Sequence, residues 1–106
     1  MTDNKEEKKE PNKNEKKVEM NLNKETAKGS YNNLVITNFT REEFVLDFGF
    51  IQPNTAKGEI QSRIILSPKN AKRLAQALTK NIQEYEKKCG RIDDNIGPAQ
   101  IKFSNN

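Results

Sequence analysis

The chain has 106 residues, of which 32% are hydrophobic and 32% charged, and a mean hydropathy of −1.01, so it has room for at most one folded domain with polar ends. Histidine is absent and there is one cysteine, which removes the usual general base, the commonest metal ligand and any internal disulfide. The 19 basic and 15 acidic residues give a net charge of +4, and acidic residues offset most of the lysines near the N-terminus, so the chain lacks the basic arm of a DNA-binding protein.

The two ends of the chain are polar. Residues 1–16 are nearly all Lys, Glu, Asn and Asp, and residues 93–106 turn polar again after Ile92. Such segments bury too little apolar surface to become ordered, so we predict flexible tails around one β-rich domain, residues 17–92, that ends in a helix. The sequence shows no apolar stretch of membrane-spanning length and no signal-peptide core, and we therefore expect a cytoplasmic protein without membrane contact.

A short segment before the main strands alternates apolar and polar residues from Val18 to Leu22. It fits either a fourth, edge strand of the sheet or a linear motif that a partner binds by strand addition. Its continuity with the domain favours the edge strand. Residues 23–29 then predict a single capped helical turn that Gly29 closes.

Period-two alternation predicts three antiparallel strands in the middle of the chain, because successive strand side chains point to opposite faces of a sheet. A short loop joins the first two strands, and a turn rich in Pro, Asn and Gly joins the last two. The strands lie at residues 31–39, 44–51 and 59–66, with the first loop around Thr40 and Arg41.

The second and third strands predict a hairpin that is centred near Thr55. This register places Asp47 opposite Arg63 on one face of the sheet. A slip of one residue would move every side chain to the wrong face. On the other face, the predicted pairs are Phe44 with Leu66, Leu46 with Ile64, and Phe50 with Ile60.

The first strand adds apolar residues to both faces. In the predicted register, Leu34 and Ile36 lie with Phe44, and the reverse face carries six apolar side chains around the Asp47–Arg63 pair. Interfaces commonly combine apolar anchors with satisfied polar groups in this way. We therefore predict a homodimer through this second face. Its predicted interface residues are Tyr31, Val35, Phe39, Val45, Asp47, Ile51, Arg63 and Ile65.

Residues 68–89 predict one long helix. Ser67 is a favourable N-cap, Pro68 suits the first helical position, and Gly90 is a C-terminal stop. Apolar residues at spacings of three and four form one stripe, which we expect to cover the Phe44 face and to bury the thiol of Cys89. The stripe consists of Ala71, Leu74, Leu78, Ile82, Tyr85 and Cys89.

Together these elements predict an α+β fold, a three- or four-stranded antiparallel sheet followed by one long helix, and no residue set predicts catalysis. Asp47 and Arg63 could form an acid and an anion clamp, but a cross-strand ion pair is the stronger interpretation. Asp93 and Asp94 lack the further oxygen ligands that a metal site needs. We therefore predict a binding module that is not an enzyme and uses no cofactor or metal.

Two other functions fit the residues. A protein that binds single-stranded nucleic acid would use Tyr31, Phe39, Arg41 and Arg63 for stacking and phosphate contacts. A structural component of a larger assembly would instead place the second sheet face against a different protein. The outer surface of the helix adds a basic patch, for which a solvated surface is the stronger interpretation. That patch consists of Lys69, Lys72, Arg73 and Lys80.

The sequence also contains a collinear set of short runs: GSYNNL at 29–34, EFVLDF at 43–48, SRIILSP at 62–68 and AKRL at 71–74, followed by Tyr85-Glu86 and Gly90. With these runs the chain resembles the short bacterial domain-of-unknown-function family numbered 3467, over about residues 17–92. The resemblance implies a strand before the Gly29 corner and assigns no role to Asp47 or Arg63. It further implies an accessory protein of RNA polymerase, because in some bacteria the family's genes are associated with the cluster for the large polymerase subunits.

Overall fold

The computed structural model describes residues 16–94 and 101–104. The predicted flexible tails, residues 1–16 and 93–106, lie mostly outside this part of the chain. The chain divides into two compact units, Met1–Tyr31 and Asn32–Asn106.

The described part of the first unit contains one short helix, α1, Lys24–Ala27. The side chain of Asn23 caps it by accepting a hydrogen bond from the Thr26 N–H at 2.8 Å, and Gly29 follows with a φ of +77°. The predicted capped turn is thus confirmed.

The predicted edge strand from Val18 to Leu22 is wrong, because these residues are not in a strand and the sheet pairs none of them. The side chains of Val18, Met20 and Leu22 are all exposed. Alternation of apolar and polar residues suits a strand, but it does not by itself supply a neighbouring strand to pair with.

The second unit contains an antiparallel sheet in the order β1-β2-β3, so that β2 is central, and one long helix. This architecture confirms the predicted α+β fold, with three strands in the described part of the chain. The elements are β1 Leu34–Phe39, β2 Phe44–Ile51, β3 Gly58–Leu66 and α2 Pro68–Cys89.

The β2–β3 hairpin has the predicted register in the half far from its turn, where Phe44 lies opposite Leu66 and Asp47 lies opposite Arg63. Its turn places Pro53 second and Asn54 third, the latter with a φ of +64°, which is the signature of a type II turn. The half next to the turn differs from the prediction, because β3 carries one extra residue there.

This irregularity lies beside Gly49, which pairs with Ile60, whereas Phe48 pairs with Ser62. The predicted pairing of Phe50 with Ile60 is therefore wrong, and Phe50 lies opposite Glu59. A Cβ atom at Gly49 would lie 2.8 Å from the carbonyl oxygen of Glu59. Only a residue without a side chain allows the two strands to approach so closely at the bulge.

The predicted face assignment of β1 is also wrong, because β1 pairs with β2 one residue away from the expected register. Thr40 closes the β1–β2 turn, because its N–H donates to the Glu43 carbonyl at 2.8 Å. The side-chain oxygen of Thr40 also accepts from the backbone N–H groups of Glu42 and Glu43. Phe39 consequently lies opposite Phe44, and their rings stack with centroids 5.5 Å apart. A shift of one residue exchanges the two faces of a strand.

Two sheet faces follow from this pairing. The Phe44 face comprises Val35, Thr37, Phe39, Phe44, Leu46, Phe48, Phe50, Glu59, Ser62, Ile64 and Leu66. The Asp47 face comprises Leu34, Ile36, Asn38, Val45, Asp47, Gly49, Ile51, Gly58, Ile60, Arg63 and Ile65.

The side chain of Asn33 extends the pairing of β1 with β2 beyond the end of the strand. Its amide nitrogen donates to the carbonyl of Ile51 at 3.0 Å, and its amide oxygen accepts from the N–H of Ile51 at 2.8 Å. The amide of this side chain thus occupies the place of a peptide group in the ladder. It anchors the end of β2 at the edge where the chain enters the sheet.

The helix α2 begins and ends as predicted. Ser67 accepts from the Asn70 N–H at 3.2 Å, Pro68 occupies the first turn, and Gly90 follows the last residue with a φ of +98°. Glu86 holds the C-terminal end through its carbonyl, which accepts from Gly90, and its carboxylate, which accepts from the N–H of Ile92 at 2.9 Å. Local capping chemistry therefore sets both ends.

The expectation that α2 covers the Phe44 face is wrong. In the described part of the chain, the substantial contacts of α2 with the sheet are few, and they involve β3, the strand that precedes the helix. The side chains of Leu74, Leu78, Ile82 and Tyr85 are between 41% and 52% exposed. Cys89, expected to be a buried thiol, is exposed as well.

The loss of the Asn33 amide should loosen the edge of the sheet. We expect Asn33→Ala to lower the free energy of unfolding by about 1–2 kcal/mol, since two hydrogen bonds to Ile51 are lost. Urea unfolding at one fixed protein concentration measures the change. The matched control is Asn38→Ala at an exposed asparagine of β1, and an equal loss in both variants would contradict this role of Asn33.

Candidate protein-binding face of the sheet

The centre of the Asp47 face is an ion pair between neighbouring strands. Arg63 Nε donates to Asp47 Oδ1 at 2.7 Å and Arg63 Nη2 donates to Asp47 Oδ2 at 2.9 Å. Both carboxylate oxygens are therefore engaged by one guanidinium in a bidentate arrangement, the strongest geometry for such a pair. The structure shows the cross-strand ion pair that the sequence predicts.

The two partners differ in their access to water. The side chain of Asp47 is 1% exposed, whereas that of Arg63 is 58% exposed. The guanidinium thus covers the carboxylate and presents its own outer surface to solvent. A second protein that contacts this face would meet a cation whose position β3 and Asp47 already determine.

The electrostatics of the pair keep both groups charged. The hydrogen bond from Arg63 lowers the pKa of the Asp47 carboxyl below its usual value, and this effect exceeds the opposing effect of burial. The same hydrogen bond raises the pKa of Arg63. Asp47 is consequently a carboxylate at neutral pH, and its role is to hold the guanidinium in place.

Apolar side chains surround the ion pair. On β3, Ile65 is 54% exposed on one side of Arg63, and Ile60 is exposed on the other side. Half-buried aliphatic residues of β1 and β2 complete the surface: Leu34, Ile36, Val45 and Ile51. The face therefore combines one fixed cation with exposed branched aliphatic groups.

The structure brings together five of the eight residues that the sequence predicted for an interface. Val35 and Phe39 lie instead on the Phe44 face, and Tyr31 belongs to the first unit. Leu34, Ile36 and Ile60 lie on the Asp47 face although the prediction omitted them. The short turn from Thr40 to Glu43 could have revealed that Leu34 and Ile36 lie on this face. The bulge that moves Ile60 to the Asp47 face left no signal in the alternation.

The residues suggested for nucleic-acid binding do not form one surface. Phe39 and Arg63 lie on opposite faces of the sheet, and both hydrogen bonds to Asp47 engage Arg63. Arg41 is exposed in the β1–β2 turn.

On α2, three of the four suggested cations lie on one line. At about 100° per residue, Lys69, Arg73 and Lys80 fall within a narrow sector opposite the apolar stripe, and Lys72 lies to one side. Lys87, which the sequence prediction omitted, extends this line.

The remaining chemistry of the described chain is limited. Within residues 16–94 and 101–104, no three side chains of the His, Cys, Asp or Glu type lie together in a way that could hold a metal ion. In the same part of the chain, no helix combines the length and the apolar character needed to cross a membrane.

A small α+β protein, in which a meander of three strands precedes one long helix, is the class that the fold and this face define. The profile of the family described as "Protein of unknown function (DUF3467)" matches residues 1–94, and the chain belongs to this family. Neither the curated proteins nor the solved structures contain a significant match to the chain.

The ion pair should make the stability of the protein depend on pH. Because the folded state lowers the pKa of Asp47, its stabilising effect is present above the ordinary aspartate pKa of about 3.9 and is lost as the pH falls through the lower folded value. We expect Asp47→Asn to be less stable than the wild-type chain at pH 7. The difference should shrink below about pH 4, as measured by thermal unfolding across this range.

The control for this experiment is Glu42→Gln, at an exposed carboxylate in the β1–β2 turn. It removes one negative charge without touching the ion pair. If Asp47→Asn and Glu42→Gln changed stability by the same amount at every pH, Asp47 would have no special role.

Proposed function

We propose that the chain is a non-catalytic protein-binding module that serves as an accessory protein of RNA polymerase. The observation that carries this proposal is the Asp47 face, where Arg63 is oriented by Asp47 and flanked by exposed aliphatic side chains. The face would dock on a polymerase subunit or on a protein associated with the enzyme.

The chemistry of the face supports protein recognition. Interfaces between proteins are enriched in arginine and large apolar groups, and they lack charges that are buried without a partner. Arg63 meets this condition because Asp47 already satisfies two of its N–H groups. Ordering the side chain before binding also reduces the entropy that a complex must lose.

The choice of partner rests on the family. The resemblance that the sequence carries implies a gene neighbourhood shared with the large RNA polymerase subunits. Proteins from such neighbourhoods commonly work in one complex. The Asp47 face then offers a docking surface of the mixed kind that a reversible accessory protein needs.

A second candidate is binding of single-stranded nucleic acid along the back of α2. The specific observation in its favour is the line of Lys69, Arg73, Lys80 and Lys87, which spans about 27 Å at 1.5 Å per residue. Such a surface would bind phosphates without reading bases, and its affinity would fall steeply with salt. The two candidates use different surfaces, so separate variants can distinguish them.

Loss of the apolar part of the Asp47 face should abolish partner capture. We expect the tagged wild-type chain to recover RNA polymerase subunits from a lysate of its native host treated with nuclease. Ile65→Asp should reduce this recovery by about tenfold or more, since it places a charge in the contact. Quantitative mass spectrometry of the recovered proteins is the measurement.

The matched control is Gln76→Asp, which adds the same charge on the exposed back of α2. Circular dichroism should show that both variants remain folded. The proposal fails if the wild-type chain recovers no polymerase subunit, or if Ile65→Asp recovers as much as Gln76→Asp.

The nucleic-acid candidate has its own test. Under the polymerase proposal, Arg73→Glu combined with Lys80→Glu should leave recovery of polymerase subunits unchanged. Fluorescence anisotropy with labelled single-stranded oligonucleotides at about 50 and 200 mM salt tests the other surface. Salt-dependent binding that the double variant abolishes, together with loss of polymerase recovery, would favour nucleic acid instead.

A further inference from the structure

The apolar stripe of α2 and the Phe44 face of the sheet are two uncovered surfaces on the same chain. The stripe runs from Ala71 to Cys89, with four large side chains 41–52% exposed. On the Phe44 face, Phe39 is 73% and Val35 is 52% exposed. Both surfaces are apolar, so contact between them would remove both from water.

The helix does not cover the sheet of its own chain, and the connection explains why. Ser67 is the single residue between the end of β3 and the start of α2, and its ψ of 158° keeps it extended. Connections that fold a helix back on the preceding strand have two or three residues. Pro68 adds a restriction, because the residue before a proline avoids the helical conformation.

A single chain buries little of its apolar surface. Leu46 is the apolar side chain that counts as buried in the described part of the chain. The other apolar side chains of the sheet are half-buried or exposed, so burial of the stripe and of the Phe44 face would stabilise the fold further.

We propose that two copies of the chain form a dimer in which α2 of each copy packs along the Phe44 face of the other. A two-fold axis presents each surface to its counterpart on the partner, so one arrangement covers both stripes and both faces. The second copy is the occupant because each chain supplies one helix and one sheet face, in equal number.

The dimensions of the two surfaces agree. The 22 residues of α2 span about 33 Å with a diameter of about 10 Å. The three strands give a face about 14 Å wide and, from the shortest to the longest strand, about 20–30 Å long. One helix therefore covers most of one face. Two such contacts, each with a footprint of about 10 by 20–30 Å on both partners, would remove about 800–1,200 Å² from water, which approaches the lower end of the range of stable protein interfaces.

The spacing of the stripe favours a sheet over a second helix as its counterpart. The intervals between its members are 3, 4, 4, 3 and 4 residues, an average of 3.6, which keeps the stripe straight along an unstrained helix. A two-stranded coiled coil would require the seven-residue pattern, whose apolar register leaves Leu74 outside the seam and runs through Ala71, Ala75, Leu78, Ile82, Tyr85 and Cys89. The stripe thus suits a broad, straight contact with strands.

The first test is the mass of the full chain in solution, measured by light scattering at micromolar concentration. We expect twice the mass of one chain for the wild type and for Gln76→Asp. Leu78→Asp, at an exposed stripe residue, should weaken the dimer by about a thousandfold, since a symmetric dimer loses the contact twice. A folded wild-type monomer would overturn the proposal.

The second test does not depend on the folding of Leu78→Asp. A benzophenone amino acid replaces Tyr85, an aromatic stripe residue that is half exposed, and chains with ¹⁴N and ¹⁵N are unfolded, mixed and refolded together. Irradiation should join position 85 to strand residues of the Phe44 face on a chain of the other isotope. Crosslinks to α2 of the other chain or to the sheet of the same chain, or no crosslink, would overturn the arrangement.

The dimer and the polymerase proposal can fail independently. Ile65→Asp lies on the Asp47 face, and it should leave the dimer mass unchanged while it reduces polymerase recovery. A dimer that Leu78→Asp weakens but that captures no polymerase would support the packing of α2 on the partner's Phe44 face and remove only the proposed function. A monomer that captures polymerase through the Asp47 face would support the proposed function and overturn the dimer.

Discussion

A single residue, Ser67, separates the last strand from the long helix, and most features of the molecule depend on this short connection. Its extended backbone and the proline that follows send α2 away from the sheet that precedes it. The sheet consequently keeps two accessible faces, and the helix keeps an accessible apolar stripe. A longer connection would let one chain cover its own sheet, whereas this one leaves the helix stripe and the Phe44 face exposed in a single chain.

The two faces of the sheet differ in chemistry, and this difference separates stability from recognition. The Phe44 face is rich in aromatic and aliphatic groups and suits permanent burial. The Asp47 face carries a fixed cation among aliphatic side chains and suits reversible contact. Because β2 contributes alternate residues to both faces, one central strand links the proposed self-association to the proposed binding of another protein.

Sequence reasoning succeeded where the determining interactions are local. The ends of α2 follow from Ser67, Pro68 and Gly90, and the opposition of Asp47 and Arg63 follows from alternation around one turn. It failed where a single residue changes the register, as at the β1–β2 turn and at the bulge beside Gly49. Periodicity shows which side of a helix is apolar, but it does not show which chain covers that side. The candidate site was therefore predicted in part, with its centre correct and its β1 contribution placed on the wrong face.

The Asp47–Arg63 pair also favours one register of β3 against β2. If β3 slipped by two residues along β2, the apolar and polar faces would be preserved, yet Asp47 would lie opposite Ile65 or Gln61 instead of Arg63. A carboxylate without its cation would then be withdrawn from water at considerable cost. The hydrophobic pattern alone tolerates such a slip. The ion pair therefore selects one alignment of β3 with β2 among several whose faces are equally apolar. The same selection would act against any foreign strand that competed for the place of β3.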